Sequence, residues 1–138
     1  MPTFIGNDLA GDDHVSAVNN VQYGLGGNDS LEFSGGLGFL YGGHGDDYLN
    51  YVNGTNSNGD LYGGDGRDAL DGDSTSNLND DMFGGDGADS MYSYNGSDSI
   101  DGGTGQDHAL AGDGNDNVYG GEDRRPVRRG RGRLCRGR

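Results

Sequence analysis

The chain lacks most of the residues on which common enzyme and metal sites depend. It has no lysine and no tryptophan, and its single cysteine is Cys135. Without lysine there is no GK[ST] element of a phosphate-binding loop, and one cysteine supports neither a disulfide framework nor a thiolate metal site. HExxH and GxSxG are also missing, so the sequence offers neither a zinc-protease helix nor a nucleophile elbow.

Apolar residues are scarce as well. They make up 30% of the 138 residues, whereas glycine alone contributes 31 residues. No run approaches the roughly 18 apolar residues of a membrane span, and the start, MPTFIGNDLAGDD, has neither the basic region nor the apolar core of a secretory signal. Low hydrophobicity with high net charge is typical of disorder, so an ordered state needs a further source of stability.

Basic residues are missing from almost the whole chain. All 23 acidic residues lie in residues 1–123, where Arg67 is the only base, so this acidic body carries a net charge of −22. A compact body with this charge repels itself unless cations bind to it. Nucleic acid is excluded as its partner, because phosphate is also anionic.

What the chain has instead is a nine-residue period. Residues 84–119 read GGDGADSMY, SYNGSDSID, GGTGQDHAL and AGDGNDNVY, which are four blocks without an insertion. In each block glycine holds place four, aspartate holds place six, and an apolar residue holds place eight. Self-similarity at a fixed period indicates a solenoid built from stacked units.

The block also recurs upstream, with interruptions. FSGGLGFLY (33–41) has Gly38 where the acid should be, and two twelve-residue pieces, 51–62 and 72–83, keep only the apolar place. Pairs of blocks therefore repeat every 18 or 21 residues. Complete upstream copies are GLGGNDSLE (24–32), GGHGDDYLN (42–50) and GGDGRDALD (63–71).

The N-terminal residues carry one partial copy. Gly11, Asp13 and Val15 take places four, six and eight, and residues 17–23 follow as a connector that is out of register. We expect three segments: a partial repeat with its connector (1–23), the repeat region (24–121) and a basic tail (122–138).

The block has a direct physical interpretation. Several glycines together favour positive φ angles and a close backbone approach, which aims several carbonyl oxygens at one point. Aspartate at place six adds anionic oxygen, and calcium takes 6–8 oxygen ligands of these two kinds. Places seven to nine have room for one short strand whose central residue points inward. Stacked strands would then form a thin core from Leu31, Leu40, Leu49, Leu61, Leu70, Met82, Met91, Ile100, Ala109 and Val118.

The repeat resembles the RTX, or haemolysin-type, calcium-binding nonapeptide repeat, G-G-x-G-x-D-x-U-x. GGHGDDYLN, GGDGRDALD and GGDGADSMY match it nearly in full, and degenerate copies extend the resemblance over residues 5–121. The resemblance implies an all-β fold, a parallel β-roll (a right-handed β-solenoid) with two blocks per turn and calcium between stacked loops. It also implies a secreted, extracellular bacterial protein, several bound Ca²⁺ ions, and a type I secretion apparatus as a partner.

In such rolls each ion takes oxygens from places two, four and six of one loop and places one, three and six of the loop one turn later. Carried over to this chain, the family pattern implies four sites along one edge of the roll and one site on the opposite edge. We expect the opposite edge to be sparse, because Gly38 replaces the acid and the twelve-residue pieces break the spacing. Residues 84–119 are the region where both edges keep the spacing and the aspartate. The implied metal ligands on the first edge are Leu25, Gly27, Asp29, Gly42, Gly43, His44, Gly45, Asp47, Gly63, Gly64, Asp65, Gly66, Asp68, Gly84, Gly85, Asp86, Gly87, Asp89, Gly102, Thr104 and Asp107. Those on the opposite edge are Gly96, Asp98, Asp113 and Asp116, with Tyr94 and Ala111.

Competing interpretations are weaker. Residues 71–82 superficially suggest an EF-hand loop, but Ser76 stands where glycine is needed and Met82 where glutamate is needed. Asn79 and Asp80 could still bind an ion by themselves. His44 and His108 are expected to be solvated. Several strand-flanking aromatic residues are expected on the outer side as a weak ladder between turns, with a sugar-binding surface as the lesser alternative: Tyr41, Tyr62, Phe83, Tyr92 and Tyr119.

Two functions remain open from the sequence. The first is a calcium-binding, non-enzymatic module that is disordered without calcium and folds on binding it. The second is a remnant or C-terminal part of a secreted RTX enzyme, toxin or adhesin whose effector domain lies outside this sequence. No catalytic constellation is present in the chain, so the prediction is that it is not an enzyme.

The tail, residues 122–138, has two interpretations. One is a disordered basic arm for nucleic acid or anionic surfaces. The other, which we favour, is out-of-frame translation of further repeats, since codons for RGRGRLCRGR can be written that read GAGADFAGG when shifted by one base.

Overall fold

The computed structural model describes residues 4–5, 14–17, 21–34, 38–51, 59–75 and 77–121. Within these residues the chain forms fifteen strands and no helix, so it contains no helix long and apolar enough to cross a membrane. The predictions for Gly11, Asp13 and the tail 122–138 lie outside the described residues.

Two parallel sheets make up the fold. The larger has seven strands, in the order β1 (Phe4–Ile5), β3 (Val21–Gly26), β5 (Gly38–His44), β7 (Gly59–Gly66), β9 (Asp81–Gly87), β12 (Ser99–Gly105) and β15 (Asn117–Tyr119). The smaller has six, in the order β13 (His108–Leu110), β10 (Ser90–Tyr92), β8 (Ala69–Asp71), β6 (Tyr48–Tyr51), β4 (Ser30–Phe33) and β2 (His14–Ala17). A short pair, β11 (Asn95–Gly96) with β14 (Asp113–Gly114), completes the set.

Apart from β11 and β14, successive strands of the chain alternate between the two sheets, so each circuit contributes one strand to each sheet. The result is a β-solenoid of about five turns, as the repeat predicts. The register follows the 18- and 21-residue spacing: Leu40 pairs with Leu61, and Met82 pairs with Ile100. The three added residues of a 21-residue turn therefore do not shift the pairing of the strands.

The core lies between the sheets and consists of the residues at place eight. All ten predicted core residues are at most 3% exposed. Three apolar side chains at place one are buried with them, namely Phe33, Tyr51 and Ala111. Alternation explains this, because places six, eight and one lie two residues apart and so share the inward face of the strand.

The expectation that residues 17–23 are out of register is wrong for Val21–Tyr23. These residues belong to β3, where Gln22 pairs with Leu40 and is fully buried at the apolar place. Its Nε2 donates to the carbonyl oxygen of Glu32 at 2.9 Å. A polar residue at place eight hides this copy from a pattern of apolar residues, although the backbone pairing is unchanged.

Candidate metal centre

The glycine-rich loops that join the sheets form two stacks, one along each edge of the solenoid. The first edge is defined here by the residues that hold place six in its loops: Asp29, Asp47, Asp68, Asp89 and Asp107. The second edge is defined in the same way by Gly38, Gly59, Asp80, Asp98 and Asp116.

The aspartates of the first edge form a hydrogen-bonded ladder. The backbone N–H of Asp47 donates to Oδ1 of Asp68 at 2.9 Å, and the backbone N–H of Asp68 donates in the same way to Asp89. The ladder begins at Asp29 and ends at Asp107, with N–O distances of 2.8 and 3.1 Å for its outer rungs. Each inner aspartate therefore connects the loop before it to the loop after it.

Four of these carboxylates have a second oxygen without a hydrogen bond. The Oδ2 atoms of Asp47, Asp68, Asp89 and Asp107 are buried and accept no hydrogen bond, and the side chains are between 1% and 7% exposed. A buried acceptor without a partner costs about 1–3 kcal/mol, and more when it is charged. Such atoms are therefore suited to bind a cation.

Burial also raises the pKa values of these carboxyl groups. The pKa of Asp68 is raised to about 7, chiefly by desolvation, and hydrogen bonding from the backbone of Asp47 offsets part of this rise. For the same reasons the pKa values of Asp47 and Asp89 are raised to about 6. The fold thus concentrates groups whose anionic form lacks a counter-charge.

Carbonyl oxygens of neighbouring turns converge in the same space. Gly43 and Gly45, at places two and four, have φ values of 119° and 128°. A Cβ atom on either glycine would overlap the carbonyl oxygen of Leu25 or Gly27, the residue at the same place one turn earlier. The same relationship repeats along the edge at Gly64, Gly66, Gly85, Gly87, Gly103 and Gly105.

Oxygens also approach from the opposite direction. A Cβ atom on Gly42 would meet both Oδ2 of Asp47 and the carbonyl oxygen of Gly63, one turn later. The carbonyl oxygen of His44, at place three, points back to the preceding turn, where it accepts from the N–H of Gly27 at 2.9 Å. Gly24, Gly63 and Gly84 also hold place one. A Cβ atom on each would meet Oδ2 of the aspartate in its own loop and a carbonyl oxygen from one turn later.

The side chains at place three do not enter this space. His44 Nδ1 and Asp65 Oδ2 lie 2.7 Å apart on the surface, with side chains 79% and 61% exposed. Thr104 donates to Asp86 at 2.8 Å, also on the surface. These residues can contribute only backbone carbonyls. In the described part of the chain no group of three or more His, Cys, Asp or Glu side chains could hold a metal by itself, so a metal site here depends on the backbone.

The second edge has a shorter ladder. The backbone N–H of Asp80 donates to Oδ1 of Asp98 at 2.9 Å, and that of Asp98 donates to Oδ1 of Asp116 at 3.1 Å. Asp98 Oδ2 is buried without a hydrogen bond. Gly96 and Gly114 repeat the carbonyl approach, and Asp113 has an exposed side chain.

Asp80 holds place six in the second twelve-residue piece, which the nine-residue period misses. The sequence does carry a signal for place six here: Asp80 precedes the apolar Met82 by two residues, as every place-six aspartate precedes the apolar residue at place eight. Its carboxylate accepts hydrogen bonds from the backbone of Gly59 and Asp73. Asp80 therefore already has backbone donors, whereas Asp47, Asp68, Asp89 and Asp107 each have a buried Oδ2 that accepts no hydrogen bond.

Two residues other than glycine have a positive φ at place two: Leu25 with 75° and Tyr94 with 66°. Leu25 holds this place in the loop of Asp29, and Tyr94 holds it in the loop of Asp98. In the loops of Asp47, Asp68, Asp89, Asp107 and Asp116 place two is glycine, namely Gly43, Gly64, Gly85, Gly103 and Gly112.

The family profile described as the RTX calcium-binding nonapeptide repeat matches this chain in four copies, at residues 39–57, 74–109 and 92–124. Together these ranges cover half of the chain. No match was found among curated proteins or among solved structures.

Proposed function

The chain belongs to the family of RTX calcium-binding nonapeptide repeats, and on that premise we propose that it is a non-catalytic module whose stacked loops bind several calcium ions and which folds as it binds them. The observation that carries the proposal is the row of buried Oδ2 atoms on Asp47, Asp68, Asp89 and Asp107 that accept no hydrogen bond. Calcium suits this environment because it accepts carboxylate and carbonyl oxygens in flexible geometry.

Four sites are proposed on the first edge, each between two successive loops. The earlier loop of each pair would supply the carbonyl oxygens of places two and four and its place-six carboxylate. The later loop would supply the carbonyl oxygens of places one and three and its own place-six carboxylate. The close approach of the place-two and place-four carbonyls to the next turn supports the first half of this set. The place-six pairs are Asp29 with Asp47, Asp47 with Asp68, Asp68 with Asp89, and Asp89 with Asp107.

A fifth site is proposed on the second edge, between the loops of Asp98 and Asp116. Ser93 Oγ donates to the carbonyl oxygen of Ala111 at 3.0 Å, and that carbonyl is one of the oxygens this site would use.

Coupling of folding to calcium follows from charge and burial together. The acidic body carries −22, and compaction brings like charges together. A ligand that binds only the folded state stabilises that state by mass action. Extracellular calcium modules bind at roughly 10⁻⁴–10⁻³ M, so the chain would remain unfolded at cytosolic calcium concentrations and fold outside the cell.

We further propose that the module is secreted and acts in a larger RTX protein. This rests on the family, whose members are exported through a type I apparatus, and on the absence of a catalytic constellation in the sequence. The effector domain of such a protein would determine any enzymatic, toxic or adhesive activity. The neighbouring reading frames of the gene test this point.

Titration calorimetry tests the binding itself. Calcium added to the chelator-treated chain should bind at about five ions per chain, whereas magnesium should not replace it, because magnesium demands small octahedral sites and dehydrates reluctantly. Equal heats and stoichiometries for the two cations would show that the loops act only as a diffuse anionic surface.

A further inference from the structure

We propose that the side chain at place one decides which loops can hold a carboxylate at place six, and that Phe33 and Tyr51 in this way close two loops of the second edge to calcium. This inference rests on the proposed function and adds to it a residue that selects the site. It explains why one edge of the same solenoid would be loaded along its whole length while the other is not.

Places one and six of a loop face each other from the two ends of that loop. Phe33 is fully buried, and a Cβ atom on Gly38, at place six of the same block, would overlap its ring. Tyr51 stands in the same relationship to Gly59. In both loops an aromatic ring fills the space that the side chain of an aspartate at place six would need.

The loops that carry aspartate at place six show the reverse arrangement. A Cβ atom on Gly42 would overlap Oδ2 of Asp47, and a Cβ atom on Gly102 would come close to Oδ2 of Asp107. Residues at place one and place six therefore compete for one volume. Place one is small in every described loop with the acid: Gly24, Gly42, Gly63, Gly72, Gly84, Ser93, Gly102 and Ala111.

The two rings form a packed unit of their own. The Phe33 and Tyr51 ring centroids are 5.4 Å apart in an edge-to-face arrangement, a favourable geometry for aromatic pairs. The Tyr51 hydroxyl donates to the carbonyl oxygen of Gly38 at 2.5 Å. Buried apolar surface and a satisfied hydroxyl thus replace a buried charge, and this part of the second edge packs without a cation.

The decisive experiment moves the aromatic ring to a loop that has an aspartate. In the full chain, Asp98→Gly should lose one bound calcium and lower the Tm in calcium. Ser93→Phe combined with Asp98→Gly should bind no more calcium than Asp98→Gly alone, yet recover at least half of the lost Tm. The matched control is Ser90→Phe with Asp98→Gly, because Ser90 points outward; no recovery is expected there.

Recovery of the same size with Phe at residue 90, or wild-type calcium stoichiometry in the Ser93→Phe, Asp98→Gly variant, would overturn the inference. A second arm covers failure of that variant to fold. Gly38→Asp should lower the Tm much more in the wild type than in a Phe33→Ser background, where the ring no longer occupies the space; equal losses overturn the inference.

Different results would contradict the proposed calcium binding and the proposed role of place one. If the wild-type chain binds no calcium, the proposed function and this inference both fall. If the wild type binds calcium but the variants at residues 33, 38, 93 and 98 miss these outcomes, only the inference falls.

Discussion

The backbone N–H of Asp68 donates to Oδ1 of Asp89, one turn later, at 2.9 Å, while Oδ2 of the same Asp89 stays buried without a partner. One carboxylate thus both fixes the distance between two turns and presents an oxygen to the space between loops. The same group is structural through one atom and a candidate ligand through the other.

This relationship predicts that Asp89→Ala is more damaging than Asp116→Ala. Asp89 belongs to two proposed sites and to two rungs of the ladder, whereas Asp116 ends its ladder and belongs to one. Loss of the acceptor leaves the buried N–H of Asp68 unpaired, which costs about 1–3 kcal/mol, in addition to the lost ions. Calcium stoichiometry should fall by two for Asp89→Ala and by one for Asp116→Ala.

Asp86→Ala is the control, since it removes the same charge from the same loop but keeps the backbone carbonyl. It should leave the stoichiometry unchanged. A larger loss of ions or Tm from Asp116→Ala than from Asp89→Ala would mean that the shared carboxylates do not couple neighbouring loops.

Glycine at place two should be irreplaceable where the preceding turn presents a carbonyl. Gly64 has a φ of 120°, and a Cβ atom there would overlap the carbonyl oxygen of Gly43. We expect Gly64→Ala to lower the free energy of unfolding in calcium by about 1–3 kcal/mol from backbone strain alone. Gly26→Ala is the control, because the nearest atom to its Cβ would be 3.8 Å away. Chemical denaturation that ranks the two variants equally would contradict this assignment.

Acidification should stabilise the folded form of the calcium-free chain. Burial raises the pKa values of Asp47 and Asp89 to about 6 and that of Asp68 to about 7 in the folded form, whereas an unfolded aspartate titrates near 3.9. Because the folded pKa values are the higher ones, their contribution to stability is complete below about pH 4 and is lost as the pH rises through 6 to 7. The calcium-free chain should therefore show more β-structure at pH 5 than at pH 7.5.

Protons and calcium both stabilise the folded form, because each binds the buried carboxylates more tightly there than in the unfolded chain. The calcium concentration at the folding midpoint should therefore be lower at pH 5.5 than at pH 7.5, as followed by circular dichroism in buffers of equal ionic strength. A midpoint that is unchanged or higher at pH 5.5 would contradict the raised pKa values of these buried carboxyl groups in the folded chain.

The stacked rings on the larger sheet should contribute to stability without affecting calcium. Tyr41 and Tyr62 are nearly parallel at 4.5 Å, and Tyr62 and Phe83 at 4.9 Å, and pairs between neighbouring strands contribute about 0.2–1 kcal/mol each. Tyr62→Leu should lower the Tm and leave the calcium stoichiometry as in the wild type. Tyr119→Leu, at a residue 61% exposed, should change neither, and an equal fall in Tm for both variants would argue against the ladder.

The sequence predicted the solenoid, the ten core residues and the aspartates of the first edge, because all three follow from a period that side-chain identity makes visible. The structure confirms only part of the predicted aromatic ladder. Tyr41, Tyr62 and Phe83 stack as expected, joined by Tyr23, whereas Tyr92 lies against His108 instead.

The features that were missed share one cause. Gln22, Phe33 and Asp80 are placed by backbone pairing with the next turn, which holds whether or not the side chain fits the repeat. Phe33 and Tyr51 depend in addition on which residue faces them across their own loop. That relationship becomes evident only when places one and six are seen to point into one volume.

Far-UV circular dichroism of the full chain during a calcium titration, with magnesium as the parallel titrant, tests most simply whether the loops fold around calcium. We expect little β-signal in chelator at neutral pH, a cooperative rise of β-structure at about 10⁻⁴–10⁻³ M calcium, and no comparable rise with magnesium. A chain that gains no β-structure in millimolar calcium, or gains it equally in magnesium, would contradict the claim that these loops fold around calcium.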